Sequence, residues 1–336
     1  MIRIFISKSV ADLANDYRQS LKKAFNAIDK IQALAADLND KPEFSAHVDY
    51  LNEVITKYDS IIVATPQQFE TLLQNSLSLD ELKKKAPNWV NKYAKEANGK
   101  RVKKRVLVET EFYKLVCEAM GYDTIRNEVY PPFAEKLGIK TCVYCNAQYG
   151  ITLKKTKSEY TSTYEIDHFK PQSKFPHLCT SFFNLQPSCG HCNKLKLDKD
   201  SKFNLYTESL GPHLRPFKFS LSSRGIIPYL LTRDFKTLTF ELSSYDISLL
   251  SNHEERFKVS KKYESHRDEA AELIVKSQFY NRAYLDQLRA SFGSILPQFY
   301  DILLDILIGF PTNHNDVHKR PLTLMKQDIA EQLGLL

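Results

Sequence analysis

Two Cys-x-x-Cys pairs, Cys142-Val143-Tyr144-Cys145 and Cys189-Gly190-His191-Cys192, constrain this chain more than any other feature of its sequence. Each pair sets two sulfurs on one tight turn, and four thiolates complete the tetrahedral shell of a structural zinc ion. The 43 residues between the pairs exceed the roughly 15–20 of a compact zinc ribbon. That excess leaves room for a hairpin and a loop held between two pinned ends. His191, inside the second pair, is expected to face outward and is left out of the ligand set. Cys117 and Cys179 lie outside the spacing and are expected to pack as small core residues. In a reducing cytosol such pairs signal zinc rather than disulfides.

The remainder reads as a folded chain with helices on both sides of this centre. With 336 residues, 43% of them hydrophobic, it can bury a core without disulfide help. No run of about 18 apolar residues is present, and the most apolar stretch, 302–310, includes Asp305. Residues 1–7 hold an apolar patch, but no small-residue cleavage site follows. They are expected to form a strand, and the protein to be cytoplasmic. Ser9 is placed as the cap of a long helix with Asp12 in its first turn. Its stripe is Val10, Leu13, Tyr17, Leu21, Ala24, Ile28 and Ile31,.

Further helices are expected over 45–58, 66–77, 79–97 and 106–120, with Asn98-Gly99 and Pro131-Pro132 as punctuation. The centre reads as strands over 147–153 and 160–169 joined by a polar turn at 154–159. A loop through Pro171, Pro176 and Pro187 follows, then a short helix over 189–197, giving a ββα order. Alternation at Phe235, Leu238, Phe240 and Leu242 suggests a small sheet within 226–242. Residues 253–308 read as helical, with Pro297 ending or kinking one helix, and a last helix is expected over 322–333. The fold class is α+β and mostly helical. Its regions are 1–135 (helical, with the first strand), 136–210 (the ββα module) and 211–336 (short strands, then helices).

Between the cysteine pairs lie Tyr164-Glu165-Ile166-Asp167-His168 and Asn184, and Asn193 and Lys196 follow the second pair. Neighbours on a strand face opposite ways. Asp167 can therefore bind a hard cation while the His168 imidazole faces a substrate. Asn193 and Lys196, three apart on a helix, share a face. Asn193 offers a second oxygen ligand, and Lys196 is expected to neutralise a phosphate. Such a sparse oxygen set suits magnesium or manganese, with water and phosphate oxygens completing the shell. His168 would then deprotonate water for attack on phosphorus. Asn184 is expected to bond across the loop and hold the His-bearing strand.

The net charge of +7 is compatible with nucleic acid. Cations cluster at 83–85, at 100–105 and at Lys154, Lys155 and Lys157. Lys170, Lys174, Lys194 and Lys199 flank the proposed metal site. A solvated helix face is the plainer reading of any one such run. His177, His213, His253, His266, His314 and His318 have no motif context. No Gly-rich phosphate loop is present, so the chain does not read as an NTPase.

Taken together, Cys-x-x-Cys, Glu165-Ile166-Asp167-His168, Pro171, Ser173, Asn184-Leu185 and Cys189-x-x-Cys192-Asn193-x-x-Lys196 resemble the HNH nuclease family over about 140–200. The resemblance implies a ββα-metal fold and metal-dependent phosphodiester cleavage. By position, His168 matches the general base, Asp167 and Asn193 the metal ligands, and Asn184 the middle Asn. The final motif letter is Asn rather than His, a variant shared with the HNH domains of CRISPR effector nucleases. The strings 167–176 and 181–188 are similar to HNH proteins of Septu-type and retron-associated anti-phage systems. That likeness implies a partner ATPase of the ABC/SMC-like class, with the helical flanks as docking surface or as simple buttress. DNA is the first expectation for the substrate. A ribonuclease acting on tRNA, or an inert zinc adaptor binding nucleic acid or protein, is the alternative. An inert module would be expected to lack His168 or the metal ligands, and all are present.

Overall fold

A computed structural model describes residues 1–95, 101–156, 159–292 and 299–336. The Asn98-Gly99 punctuation, Lys100, Lys157 and Pro297 lie outside the described residues. Among the described residues the fold mixes helices with five small two-stranded sheets, an α+β architecture.

Strand β1 (Ile4–Phe5) leads into α1 (Lys8–Ala24), capped by Ser7 rather than Ser9: the Ser7 hydroxyl accepts from the Val10 N–H at 3.4 Å. The apolar stripe does not continue as one helix. Phe25 is extended, and Asn26 caps a second helix, α2 (Ala27–Asn39), by accepting from the Asp29 N–H. An Asn at this position ends one helix and starts the next, because its side chain satisfies an otherwise orphaned N–H. Tyr17 and Leu21 are thus buried from α1, and Ile31 and Leu38 from α2. Helix α3 (Ser45–Ile62) packs against α2 over the span expected to be helical.

Residues 66–77 form turns rather than a helix. Two N–H groups there, of Gln74 and Asn75, donate to the Glu53 carboxylate at 2.7 Å, and Lys57 donates to the Leu72 carbonyl. Side chains of α3 thus replace the helical bonds. The helix expected at 79–97 is only one short segment, α4 (Leu79–Lys83), with a Ser78–Glu81 capping box. Strands β2 (Lys85–Lys95) and β3 (Arg101–Glu111) follow as an antiparallel ribbon, and α5 (Phe112–Ala119) starts only after it. Pro87, with Trp89, Val90, Tyr93, Val102, Val106 and Val108, tips this stretch toward strand.

In the centre, β4 (Thr152–Lys154) and β5 (Tyr160–Ser162) make the expected hairpin. It is not the ββ of the ββα unit. That pair is β6 (Glu165–His168) and β7 (Leu185–Ser188), antiparallel with His168 opposite Leu185, followed by α6 (Gly190–Lys196). The segment around Pro187 is therefore strand, not loop, in a sheet of two strands where proline is tolerated.

Strand β8 (Tyr206–Thr207) pairs in parallel with β1 and ties the amino-terminal strand to the module. Strands β9 (Phe217–Leu221) and β10 (Phe240–Ser244) pair antiparallel, and a helix over Ser223–Thr232 occupies much of the stretch expected to alternate. Helix α7 (Ile247–Phe257) and others follow. Helix α8 (Thr323–Gln332) lies on β9, where Asp328 accepts from the Phe219 N–H at 2.8 Å. Buried apolar residues from Met1 to Leu335 form one cluster. Among the described residues no helix is long and apolar enough to cross a membrane.

Of the five buried histidines among the described residues, three are shifted furthest. Burial lowers His177 to about 4, His253 to about 3 and His318 to about 4. Unfolded histidine titrates near about 6.5. Below that pH the unfolded chain binds more protons, so stability is full above about pH 6.5 and falls as pH drops toward 4. Thermal melts across this range should show Tm falling with acid, and His177→Gln should flatten part of the fall.

Candidate active site and zinc centre

The four cysteine sulfurs converge. Cys142 and Cys145 occupy the turn after Thr141, which bridges to Tyr149. Cys189 caps α6, and its sulfur accepts from the Cys192 N–H. All four are buried, and their Sγ atoms lie within 4.8 Å of one another. Zinc–sulfur bonds of about 2.3 Å in a tetrahedron need sulfurs about 3.8 Å apart, so the cradle fits that ion. The Lys262 ammonium donates to the Cys192 sulfur at 3.0 Å and offsets part of the anionic charge of four thiolates. His191 is exposed, outside the set.

One connection had no signal in the spacing. Asn146, in the left-handed region at φ 50°, donates to the Thr141 hydroxyl and the Val317 carbonyl. Its carbonyl accepts from the Leu322 N–H at 2.6 Å. It therefore buttons the knuckle to the carboxy-terminal segment.

Period-two alternation along β6 sorts the polar residues. Glu165 and Asp167 face α6, and His168 lies on the other side. Asn193 donates through Nδ2 to the Glu165 carboxylate, which leaves its amide oxygen for another partner. Asp167 accepts from the Tyr144 hydroxyl at 2.5 Å and pairs with Lys196 at 3.1 Å. Burial first, then the Asp167 charge, raise the Tyr144 phenol well above its ordinary value and keep it a donor. Each Asp167 oxygen retains a lone pair beyond these bonds. Asp167 and the Asn193 amide oxygen are hard oxygen donors, the ligand type that magnesium and manganese take.

His168 is held from behind. Its Nε2 lies 2.9 Å from the Cys179 carbonyl, and its ring centroid is 5.0 Å from that of Tyr122. A carbonyl only accepts, so Nε2 carries the proton and Nδ1 keeps the lone pair. Burial lowers the imidazole below its ordinary value, against the opposing pull of Asp167. The ring is therefore a neutral base at neutral pH. Asn184, wholly buried, spans the loop after His168: its Oδ1 accepts from the Lys170 N–H at 2.7 Å, and Nδ2 donates to the Leu178 carbonyl at 2.9 Å.

Lys196 does not take the expected place on a phosphate. Its side chain is 0% exposed, and it donates to Asp167 and, at 2.6 Å, to the His168 carbonyl. The close approach of α6 to β6 seals it inside, where it positions the Asp-His corner. Lys196→Met should therefore destabilise the chain by about 3–5 kcal/mol, because it strands the buried Asp167 charge. Denaturant unfolding reads this directly, whereas a phosphate-binding lysine would leave stability unchanged and raise KM. Lys170 and Lys174 are also engaged with acids, Glu70 and Asp200 respectively. Lys199 is exposed.

Asp167, His168 and Asn193 meet in one open cleft of about 510 Å³, which Tyr122, Arg126 and Lys194 also line. Sequence reasoning passed over Glu165, though alternation already placed it on the same strand face as Asp167. Tyr122, Arg126 and the Cys179 carbonyl reach the site by tertiary packing, and Tyr144 turns inward from within its knuckle. None of these four carried a local signal.

Residues 142–199 match the family model for HNH endonuclease. This segment of the chain is similar to HNH endonuclease modules. A stretch of 89 residues is 29% identical to the Septu protein PtuB of Bacillus thuringiensis, covering 25% of this chain. The match spans 32% of that relative's length. No solved structure matches the chain.

Proposed function

We propose that the chain is a metal-dependent HNH endonuclease that hydrolyses phosphodiester bonds of DNA. The observation that carries this reading is the His168 imidazole. Its Nε2 proton is fixed by the Cys179 carbonyl, and its ring lies in the same cleft as two hard oxygen donors. In this reading Nδ1 takes the proton of the attacking water, and Asn184 holds the loop that sets the ring's position. Asp167 and Asn193 would hold the divalent ion, with Glu165, Tyr144 and Lys196 fixing their orientation. Magnesium or manganese, when bound, supplies charge stabilisation for the leaving oxygen. Arg126 and Lys194 provide cations for phosphates of the strand.

The likeness to the Septu protein PtuB supports a place in bacterial anti-phage defence. There an ABC/SMC-like ATPase would restrain or trigger cutting. Residues 136–210 would then be the nuclease module, zinc its structural ion, and the flanks 1–135 and 211–336 its buttress and docking surface. The cytoplasm is where such a system acts.

Incubating the chain, alone and with a co-purified ATPase, with plasmid DNA and with total tRNA in magnesium tests the substrate class. Nicked and linear plasmid with intact tRNA supports the reading. Degraded tRNA with intact plasmid replaces it with a ribonuclease of the same mechanism. Binding of nucleic acid with no cleavage of either pool favours an inert adaptor.

A further inference from the structure

Beside the His168 cleft lies a second hollow of about 250 Å³, and the two share Tyr113, Tyr122 and Gln172 as lining. Three segments build it. Helix α5 turns Phe112, Leu115, Val116 and Ala119 into the core, which leaves Tyr113, Lys114 and Glu118 to line the hollow. Gly121, in the left-handed region at φ 80°, turns the chain after α5, and Tyr122 and Asp123 complete that side. Gln172 comes from the loop that follows His168.

Charge separates this hollow from the cleft. The cleft holds the cations Arg126 and Lys194. In the hollow the one cation, Lys114, is paired at 2.6 Å with Glu111, which lies outside the lining. Glu118 and Asp123 are exposed, and among the described residues neither carboxylate has a hydrogen bond or ion pair. The half-buried Gln172 amide is likewise without a partner among the described residues. Two uncompensated carboxylates repel a phosphate backbone. What a nucleic acid can send from the cleft into this hollow is therefore its uncharged part, a base. The volume falls below the roughly 300–1,000 Å³ of pockets for whole small molecules, as suits one fragment of a larger substrate.

We infer that the hollow is a subsite for the nucleobase next to the scissile phosphate, and that it selects bases bearing an exocyclic amine. The inference rests on the nuclease reading above and deepens it by naming what the site recognises in its substrate. Ionised carboxylates only accept hydrogen bonds. Cytosine N4, adenine N6 and guanine N2 carry amino donors, whereas thymine presents the carbonyl oxygens O2 and O4. Its one N–H lies between those two oxygens, which a carboxylate repels. Gln172 both donates and accepts, and so serves the remaining polar edge of an amino-bearing base. Tyr113 and Tyr122 supply aromatic surface of the kind on which unstacked bases settle. A base reaches the hollow only by leaving the duplex stack, which costs least where it is mismatched or unpaired.

The test digests a random-sequence DNA duplex in magnesium with the full chain and any ATPase it binds, and sequences the new ends. The wild type should cut about tenfold less often where thymine occupies the nucleotide on one fixed side of the break. Glu118→Gln/Asp123→Asn should erase that bias, because amides donate as well as accept, and each single substitution should relax it in part. All three variants should melt like the wild type, since neither carboxylate has a partner to lose. On a defined duplex, a mismatch at that nucleotide should speed cutting about tenfold. If tRNA is the pool that is cut, the same bias is expected against uracil. Wild-type ends without base bias, or cutting that a mismatch does not change, overturn the subsite and leave the nuclease reading standing. A bias that persists in the folded double variant, or a rate that falls equally on every sequence, overturns the role given to the two carboxylates. Absence of cleavage of either nucleic acid removes the nuclease reading and the subsite with it.

Discussion

Cys192→Ser will purify without zinc and lose the cooperative melting of the central module. The reason is where the four sulfurs sit. They tie the turn at 142–145 to the start of α6, and the groups around them carry the module's other connections. Asn146 joins the knuckle to the carboxy-terminal segment, and Tyr144 supports Asp167. Structural zinc in small domains contributes about 10–16 kcal/mol of apparent binding energy. Whole domains are stable by only about 5–15 kcal/mol. Loss of a sulfur ligand is therefore expected to exceed what the packing of a two-stranded sheet and a short helix can replace. Metal analysis should find one zinc ion per wild-type chain and none in the variant, and calorimetry should show the lost transition. A variant that lacks zinc yet melts like the wild type would remove zinc from the account of the fold.

His168→Ala should lower the cleavage rate by about 10²–10⁴-fold, the span that a positioned general base contributes. The ring makes one hydrogen bond, through Nε2 to the Cys179 carbonyl. The fold should therefore lose only about 1 kcal/mol from that bond, plus the small cavity left by the ring. Duplex binding should be unchanged, which separates loss of chemistry from loss of substrate. His168→Ala with wild-type cleavage would mean that another group takes the proton.

The parts legible in the sequence are those set by local spacing. Two cysteines three apart make a knuckle whatever surrounds them, and Asp167 next to His168 on a strand must diverge. Asn193 and Lys196, three apart, do share a helix face. What that face meets is a tertiary matter. The approach of α6 to β6 buries Lys196 against Asp167 and makes an expected phosphate contact into an internal support. Strand β7 escaped notice because four wholly buried residues, including Pro187, carry no alternation to read. The β2–β3 ribbon was obscured by its lysines, which suit helices, while its valines and aromatics favour strand. The long first helix failed at Asn26, where one capping side chain outweighs a continuing apolar stripe.

The most direct test is plasmid cleavage by zinc-loaded protein, with any ATPase it binds, in magnesium and in EDTA, with His168→Ala in parallel. Cutting by the wild type in magnesium alone, absent in EDTA and in the variant, is the predicted result. Cutting that persists in EDTA, or that His168→Ala retains at the wild-type rate, would contradict a metal-dependent HNH centre built on Asp167, His168 and Asn193.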